Sequence, residues 1–439
     1  MKILILLPHQ LFDKKYFPED IEEVILYEHP QYFTKYKFNK KKLVLHRASM
    51  KCYADELKKT FKIKYIEYNK KLVLKKSNEY LIFDPIDKIS PSIKAEEIES
   101  PNFLLKKTDY EKYREKTDKF MFTPFYMFSK KINGLIPNVK STDKMNRQKM
   151  PKNVKVPNLL SNSLKDDKKY IDEAVKYVNK NFKNNYGNTD NFQFPISHKV
   201  AEKWLHDFLK NKLAKFGDYQ DFIYDNEPYL LHSCLSTSIN IGLINPLEII
   251  KELEKYKNKV AINSFEGYLR QLYWREYQRY TYIYCDFSGN YFGYKKKIDS
   301  TWYTGDTGME PVDNFIKMGF DTGYLHHIIR LMIMGNYMNL YGLSPKDGFR
   351  WFMEFSCDSY EWVMSQNVLD MVFFVTGGKT MRKPYISSSN YIIKMSNYKK
   401  GEWSEEWDKM YRKFMEDRLD KLWKFRYSFP ALKKIKEGK

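Results

Sequence analysis

The sequence predicts an α/β unit built on a parallel sheet, followed by a large all-α unit. In the first third of the chain, short runs of Val, Ile, Leu and Tyr alternate with a longer stretch of helical spacing. Strands that alternate with helices are typical of a parallel sheet. In the remainder, apolar residues recur with the helical period almost to the end. At 439 residues the chain is long enough for two or three domains.

The predicted strands are Lys2–Leu7, Glu23–Tyr27, Phe61–Tyr68 and Tyr80–Phe83. Lys42–Thr60 is long enough for a helix between the second and third strands. No Gly-x-Gly-x-x-Gly follows the first strand, so the sequence lacks the fingerprint of a dinucleotide-binding turn.

A stretch rich in Lys, Asn and Pro separates the two patterns and predicts a basic linker that is ordered but irregular. We therefore divide the chain into residues 1–129, a linker at 130–169, and a helical domain at 170–439. The predicted helices of the last part are Tyr170–Phe182, His198–Phe216, Pro246–Tyr256, Phe265–Tyr284, Gly323–Asn339 and Glu405–Trp423.

The composition is strongly basic, with 76 Lys and Arg against 55 Asp and Glu, a net charge of +21. Such an excess favours a polyanionic partner, although a Lys- and Asn-rich composition also reflects an AT-rich genome. No run approaches 18 uncharged apolar residues, and the N-terminus is too short for a signal peptide. We expect a soluble intracellular monomer that does not bind membranes, in the cytoplasm or another DNA-containing compartment, with a viral origin left open.

The four cysteines are scattered, without any Cys-x-x-Cys, which argues against a disulfide framework and against zinc. A different signal comes from His326 and His327, which precede an apolar run of helical spacing. Adjacent helical residues point about 100° apart, whereas a metal-binding pair prefers positions i and i+4. This pair therefore suits hydrogen bonding and proton transfer. A buried histidine beside a surface one is the alternative.

Strings spread over about 200 residues give the chain a family resemblance. They are Phe216-Gly-Asp-Tyr-Gln-Asp221, Glu227-Pro-Tyr-Leu-Leu-His-Ser-Cys-Leu-Ser236 with Asn240-Ile-Gly-Leu-Ile244, Phe265-Glu-Gly-Tyr-Leu-Arg-Gln-Leu-Tyr-Trp-Arg-Glu-Tyr277, Thr322–Arg330, Asp358-Ser-Tyr-Glu-Trp-Val363 with Asn367, Lys383-Pro-Tyr385 and Ser389-Asn-Tyr-Ile392. In this order they resemble the cryptochrome/photolyase family, in particular its bacterial iron–sulfur (6-4) branch. The resemblance implies a Rossmann-like N-terminal domain that does not hold the flavin and an all-helical FAD-binding domain.

The resemblance implies a set of FAD contacts. Ser233, Leu235 and Ser236 match the motif whose hydroxyls and amides receive the pyrophosphate, and hydroxyls with free amides at a helix start do suit an anion. Read without the family, the two serines are helix caps. The other predicted cofactor contacts are Tyr219, Gln271, Trp274, Arg275, Arg330, Asp358 and Asn367.

Three of these contacts lie at positions i, i+3 and i+4 and share one helix face: Gln271, Trp274 and Arg275. In the family this face spans flavin and lesion pocket, with the Trp as a stacking surface for an extruded base; core packing is the alternative for Trp274. Arg330 and Asp358 resemble the pair beside the isoalloxazine ring, or form an ordinary buried ion pair.

The adjacent histidines resemble the lesion pocket of (6-4) photolyases. Repair of that lesion needs a proton as well as an electron, and the sequence does not decide whether His326 or His327 supplies it. Trp351, Trp362, Tyr385 and Tyr391 are predicted to relay electrons to the flavin, as Trp and Tyr chains do in the family.

Relatives in this branch hold an iron–sulfur cluster with four cysteines, most of them after the Asn-Tyr-Ile segment. The stretch Ser396–Trp403 has no cysteine there, so we expect no cluster and no metal. Trp403, Trp407 and Tyr411 are a hypothetical aromatic replacement for its stabilising effect. An antenna chromophore in the N-terminal domain remains open, although Pro8-His-Gln-Leu11 departs from the family's Gly-Asp-Gln-Leu-like start.

The predicted function is light-driven repair of (6-4) photoproducts in UV-damaged DNA by reduced FAD. A cyclobutane-dimer photolyase and a cryptochrome-like photoreceptor are the alternatives. A third hypothesis is a non-photochemical protein that binds single-stranded nucleic acid.

Overall fold

A parallel sheet forms the centre of the N-terminal part in the computed structural model, which describes residues 1–134, 141–142, 145–151 and 154–438. The strand order is β3-β2-β1-β4-β5, with every neighbouring pair parallel. β1 and β2 are buried almost throughout, as expected for parallel strands covered on both faces. The strands are β1 (Lys2–Leu6), β2 (Glu23–Tyr27), β3 (Lys62–Ile66), β4 (Glu79–Phe83) and β5 (Glu96–Ile98).

The predicted parallel sheet is confirmed, and the four predicted strands agree with β1 to β4 to within two residues at either end. β5 was not predicted. Two of its three residues are glutamates, and it pairs with β4 at the edge of the sheet.

Five α-helices of the described chain precede residue 182. They are α1 (Gln31–Thr34), α2 (Lys40–Leu57), α3 (Lys107–Arg114), α4 (Phe122–Asn133) and α5 (Lys168–Asn181). α5 packs along α2. The buried Arg47 of α2 joins the two helices to the sheet, because its guanidinium lies 2.8 Å from Glu28 and 2.7 Å from Glu173.

In the described residues after 181, the regular structure is helical, and irregular stretches such as 183–197 and 285–300 lie between the helices. The helices are α6 (His198–Asp207), α7 (Leu213–Tyr219), α8 (Ser236–Ile241), α9 (Pro246–Glu254), α10 (Ile262–Tyr284), α11 (Thr301–Thr304), α12 (Glu310–Thr322), α13 (Asn336–Tyr341), α14 (Pro345–Phe355), α15 (Glu361–Met364), α16 (Ser389–Met395), α17 (Glu402–Asp417), α18 (Leu419–Leu422) and α19 (Ala431–Lys436). Short 3-10 helices lie at Lys14–Tyr16, Ser161–Asp167 and Trp423–Phe425.

Three segments with the wider π-helical turn interrupt these helices: Phe208–Lys212, Ile329–Gly335 and Ser365–Val372. The first divides the predicted helix His198–Phe216 into α6 and α7. π-helical turns are rare and occur frequently at functional sites.

The predicted helix Gly323–Asn339 is wrong at its start. Gly323 has a φ of +69° and closes α12, with its N–H 2.8 Å from the Gly319 carbonyl. Residues 324–326 are irregular, and the next helix begins at His327. His326 therefore precedes the helix, whereas the prediction placed both histidines inside it.

Parts of the predicted linker, residues 135–140, 143–144 and 152–153, lie outside the described residues. The domain boundaries at 129 and 169 stay predictions. Within the described ranges, no helix is long and apolar enough to cross a membrane.

Candidate functional site

A cavity of about 1120 Å³ lies among α8, α10 and the π-helical segments that begin at Ile329 and Ser365. Most of the predicted site residues line it, although they come from distant parts of the sequence. These are Ser233, Leu235, Ser236, Gln271, Trp274, Arg275, His326, His327, Arg330, Asp358, Asn367, Tyr385 and Tyr391.

Three predicted site residues do not line this cavity. Tyr219 ends α7 and packs beside a small apolar cluster that includes Phe222. Trp351 is fully buried, and its indole N–H donates to the Trp302 carbonyl at 2.7 Å. Trp362 packs against Arg275, which lines the cavity, and its ring centre lies 4.9 Å from the Arg275 guanidinium. Their roles in cofactor contact and electron transfer stay predictions.

A bidentate ion pair lies in the cavity wall. The Nη1 and Nη2 atoms of Arg330 are 3.0 and 3.2 Å from the two carboxylate oxygens of Asp358. Ser236 donates to the same carboxylate at 2.7 Å, and Ser356 donates to it as well. Although burial raises it, the pKa of Asp358 is held below its ordinary value by the Arg330 charge and by the serine hydrogen bonds.

Ser236 is the first residue of α8, but its hydroxyl points to Asp358 and does not cap the helix. Ser233 accepts a hydrogen bond of 3.4 Å from the backbone N–H of Leu235. The alternative of two capping serines therefore does not describe Ser236.

Two histidine rings stack in the buried part of the cavity wall. The rings of His232 and His326 are 4.6 Å apart with an angle of 13° between their planes. Burial, followed by the charge of Lys212, lowers the pKa of His232 to about 3. Burial and then His232 lower the pKa of His326 well below its ordinary value. Both rings are therefore neutral near pH 7.

His327 differs from His326 because it stays accessible from the cavity. Desolvation in the wall and the charge of Arg330 lower its pKa. The alternative of one buried and one accessible histidine describes this pair, but both side chains line the same cavity.

One face of α10 contributes Gln271, Trp274 and Arg275 to the cavity, in agreement with their predicted spacing. Arg275 donates from Nε to Asn240 at 3.0 Å and from Nη1 to the Asn102 carbonyl at 2.7 Å. Gln271 donates back to the Gly267 carbonyl at 3.3 Å.

Several cavity residues were not among the predicted site residues. His232 lies within the stretch Glu227–Ser236 that contributed to the family resemblance, but its stacking on His326 is a tertiary contact that the sequence does not signal. Asn240 joins Arg275 to the backbone of Asp358, donating to the Asp358 carbonyl at 2.8 Å. Phe122 reaches the cavity from α4, far from every string that carried the resemblance.

Four nitrogens in or beside this wall are buried without a hydrogen-bond partner among the described residues: Nδ1 and Nε2 of His326, Nε2 of His232 and Nη2 of Arg275. Buried polar atoms seldom lack a partner, so a polar ligand in the cavity is expected to satisfy them. No three His, Cys, Asp or Glu side chains of the described chain are placed to hold a metal ion. The expected lack of an iron–sulfur cluster stays a prediction.

Residues 4–82 and 70–194 match, in two overlapping segments, the family described as "Deoxyribodipyrimidine photo-lyase-related protein". A (6-4) photolyase of Agrobacterium fabrum is 37% identical over 238 residues, which cover 52% of this chain and 46% of that relative. The chain therefore matches about half the length of this relative.

The fold is shared with two crystal structures. A bacterial class III photolyase from Agrobacterium tumefaciens aligns with a TM-score of 0.58 and 15% identity, over 96% of this chain and 87% of that chain. A cryptochrome from Synechocystis sp. PCC6803 aligns with a TM-score of 0.60 and 14% identity, over 95% and 89%. At these identities the two structures show a common fold and nothing beyond it.

Proposed function

We propose that this chain belongs to the cryptochrome/photolyase family and that it is a light-driven photolyase for (6-4) photoproducts in DNA. The observation that carries the proposal is that His326 and His327 line the same cavity as Trp274. Proton transfer and base stacking are thereby available in one place. The match to a (6-4) photolyase at 37% identity supports this lesion over the cyclobutane dimer.

We propose FAD as the cofactor. The cavity, at about 1120 Å³, is slightly larger than the typical ligand site of about 300–1,000 Å³, as a large dinucleotide cofactor requires. The unpartnered nitrogens of His232, His326 and Arg275 fit a ligand rich in acceptors. Ser233, Ser236 and Arg330 would hold it. When bound, reduced FAD absorbs blue or near-UV light and supplies the electron that begins repair.

The contribution of Arg330 is a positive charge whose position is fixed before the reaction. Its Nε donates to the Leu325 carbonyl at 2.5 Å, and both Nη atoms are held by Asp358. A charge held in this way stabilises developing negative charge without reorganising during the reaction. The ion pair therefore has a role beyond stability.

The two histidines have different roles in this proposal. His326 is buried and neutral, so it offers one N–H donor and one acceptor and orients the substrate. His327 is accessible from the cavity and, in its charged form, supplies the proton that repair of this lesion needs. Phosphates of bound DNA would raise the pKa of His327 and favour its charged form. Repair should therefore slow as the pH rises through that raised pKa.

The net charge of +21 supports DNA as the partner. Each phosphate that a lysine or arginine neutralises contributes about −0.9 to the slope of log affinity against log salt concentration. We expect the lesion base to leave the duplex and stack in the cavity, as in other enzymes that act on an extruded base.

The test is a visible spectrum of the purified protein, followed by light-dependent turnover of two oligonucleotides. One carries a defined (6-4) product and the other a cyclobutane dimer. We expect flavin absorption and reversal of the (6-4) product, weakened in His326→Ala and His327→Ala. His206→Ala is the control, since this side chain is 52% exposed and lies outside the cavity lining.

Other outcomes separate the alternatives. Reversal of the cyclobutane dimer alone would replace the proposed lesion. Flavin absorption without repair of either lesion would favour a photoreceptor. A protein that stays colourless after reconstitution with FAD would overturn the proposal and favour a nucleic-acid-binding protein without photochemistry.

A further inference from the structure

An aromatic side chain already covers the ring on which we expect an extruded base to stack. The rings of Phe122 and Trp274 are 3.7 Å apart with an angle of 5° between their planes. Both residues line the cavity, and both are half-buried. Phe122 thus takes the place that a flat nucleobase would occupy on this face of the indole.

The geometry of this pair is unusual for two protein side chains. Aromatic residues prefer offset or edge-to-face contacts, because the negative faces of two rings repel each other in a direct face-to-face arrangement. Trp274 and Tyr277 show the preferred edge contact, with 83° between their planes. A nucleobase stacks flat on an aromatic side chain without sequence preference. The arrangement is therefore better suited to a base than to Phe122.

The start of α4 places no helical restriction on the side-chain rotamer of Phe122. Phe122 is the first residue of α4, after Met121 in an extended conformation. Within a helix, one of the three side-chain rotamers is blocked by the preceding turn. No helical turn precedes Phe122, so that restriction does not apply to it.

The remainder of α4 is fixed. Phe125 and Tyr126 are buried, and the Tyr126 hydroxyl lies 3.1 Å from a carboxylate oxygen of Glu266 on α10. Rotation of the Phe122 side chain alone would uncover the indole without moving the helix, with the loss of its ring contacts to Tyr126 at 5.5 Å and Tyr277 at 5.6 Å. The indole N–H of Trp274 makes no hydrogen bond to any residue that the structure describes.

We propose that Phe122 is a selectivity residue that covers Trp274 in the DNA-free protein and rotates away when an extruded base enters. It competes with the base for the same face, so that only a base that has already left the duplex stack displaces it. This inference rests on the proposed function for the identity of the ligand, but its test requires neither light nor repair.

The test measures dark binding to two duplexes by fluorescence anisotropy. One has a thymine opposite an abasic site, and the other is perfectly paired. Phe122→Ala should bind the first duplex about three- to tenfold more tightly, the range that an aromatic pair contributes, and leave affinity for the second unchanged. Trp274→Ala should weaken binding to the first duplex and abolish the gain from Phe122→Ala.

Two further variants keep the test decisive. Phe122→Leu retains an apolar side chain without a flat ring, and it should show a smaller gain if the alanine variant folds poorly. Phe128→Ala removes another half-buried ring of α4, which packs on Tyr113 away from the cavity. It should leave both affinities unchanged.

The inference is overturned if Phe122→Ala binds the unpaired-thymine duplex no better than the wild type, or if its gain persists without Trp274. Weaker binding by Phe122→Ala would also overturn it, because Phe122 would then contact the base in the complex. A failure of the proposed function would look different, since photorepair would be absent while these dark affinities still changed as described.

Discussion

Replacing Asp358 with Asn tests the ion pair in the cavity wall. The carboxylate accepts two hydrogen bonds from Arg330, at 3.0 and 3.2 Å, and one from Ser236 at 2.7 Å. Both side chains of the pair are about nine-tenths buried. Asn keeps the shape of the side chain but removes its charge, so that Arg330 is left buried without a counter-charge. The amide N–H₂ of Asn would also face one of the groups that donate to the carboxylate, and no hydrogen bond could form there.

Breaking a buried ion pair from one side costs about 3–5 kcal/mol. A loss of about 3 kcal/mol in the free energy of unfolding corresponds to a melting temperature about 3 °C lower, because the entropy of unfolding of a chain of 439 residues is about 0.9 kcal/mol per degree. The assay is thermal unfolding of wild type and Asp358→Asn between pH 3 and pH 8. The control is Asp347→Asn, which breaks a more exposed pair with Arg350 at 2.8 Å, whose side chains are 17% and 44% exposed, and should cost about 1 kcal/mol or less.

The pH dependence gives the sign of the effect. Because the folded pKa of Asp358 is depressed, its stabilisation is complete above the ordinary carboxylate pKa and is lost as the pH falls through the folded value. The difference between wild type and Asp358→Asn should therefore be constant near neutrality and shrink in acid. A shift no larger than that of Asp347→Asn, or a difference that grows in acid, would refute this reasoning.

Three other changes have predictable effects. Gly335→Ala should lower stability by about 1–3 kcal/mol, because its Cβ would lie 2.7 Å from Val372 in the neighbouring π-helical segment, and it should weaken retention of the proposed flavin, because Val372 lines the cavity. Trp407→Ala should cost about 3–5 kcal/mol in thermal unfolding, since the side chain is fully buried; together with Trp403→Ala it tests the aromatic replacement for the cluster. Arg47→Met should cost about 3–5 kcal/mol in chemical denaturation, because Glu28 is fully buried and would lose its counter-charge.

Each of these changes has a control or a contradicting result. Gly401→Ala should be mild, because the nearest atom to the added Cβ is 3.6 Å away. An unchanged melting temperature in the double tryptophan variant would reject the aromatic hypothesis. Lys58→Met breaks only an exposed pair with Asp55 and should have little effect; an equal loss in both variants would show that the burial of Arg47 does not matter.

The sheet could be predicted because its central strands are nearly continuous apolar runs. β5 could not, since Glu96 and Glu97 carry the signal of a loop and pair only at the sheet edge. The shared face of Gln271, Trp274 and Arg275 followed from helical spacing alone.

The rest of the site depends on contacts between distant segments. His232 and His326 stack across 94 residues of sequence, and Phe122 meets Trp274 from a helix that bears no family string. The spacing of residues along the chain carries no information on such tertiary contacts. The predicted start of the helix after Gly323 was wrong because this glycine ends α12, and three irregular residues separate it from the helix that carries the apolar run.

The longest helix of the described chain, α10, has a consequence for exchanging parts between relatives. Beyond the cavity it continues to Arg279, which is fully buried and donates to the Leu105 carbonyl at 3.2 Å. Glu276 receives hydrogen bonds from the Leu105 N–H and from Tyr110, each at 3.2 Å. A hybrid joined after β5 would separate Arg279 from Asp84, 3.4 Å away, but would keep Leu105 and Tyr110 with α10. A hybrid joined near residue 130 would remove Leu105 and Tyr110 as well, and both Glu276 and Arg279 would lose buried hydrogen-bond partners. The junction of a chimaera should therefore lie upstream of the boundary at residue 129 that the composition predicts. The segment around Leu105 should come from the same parent as the helical part.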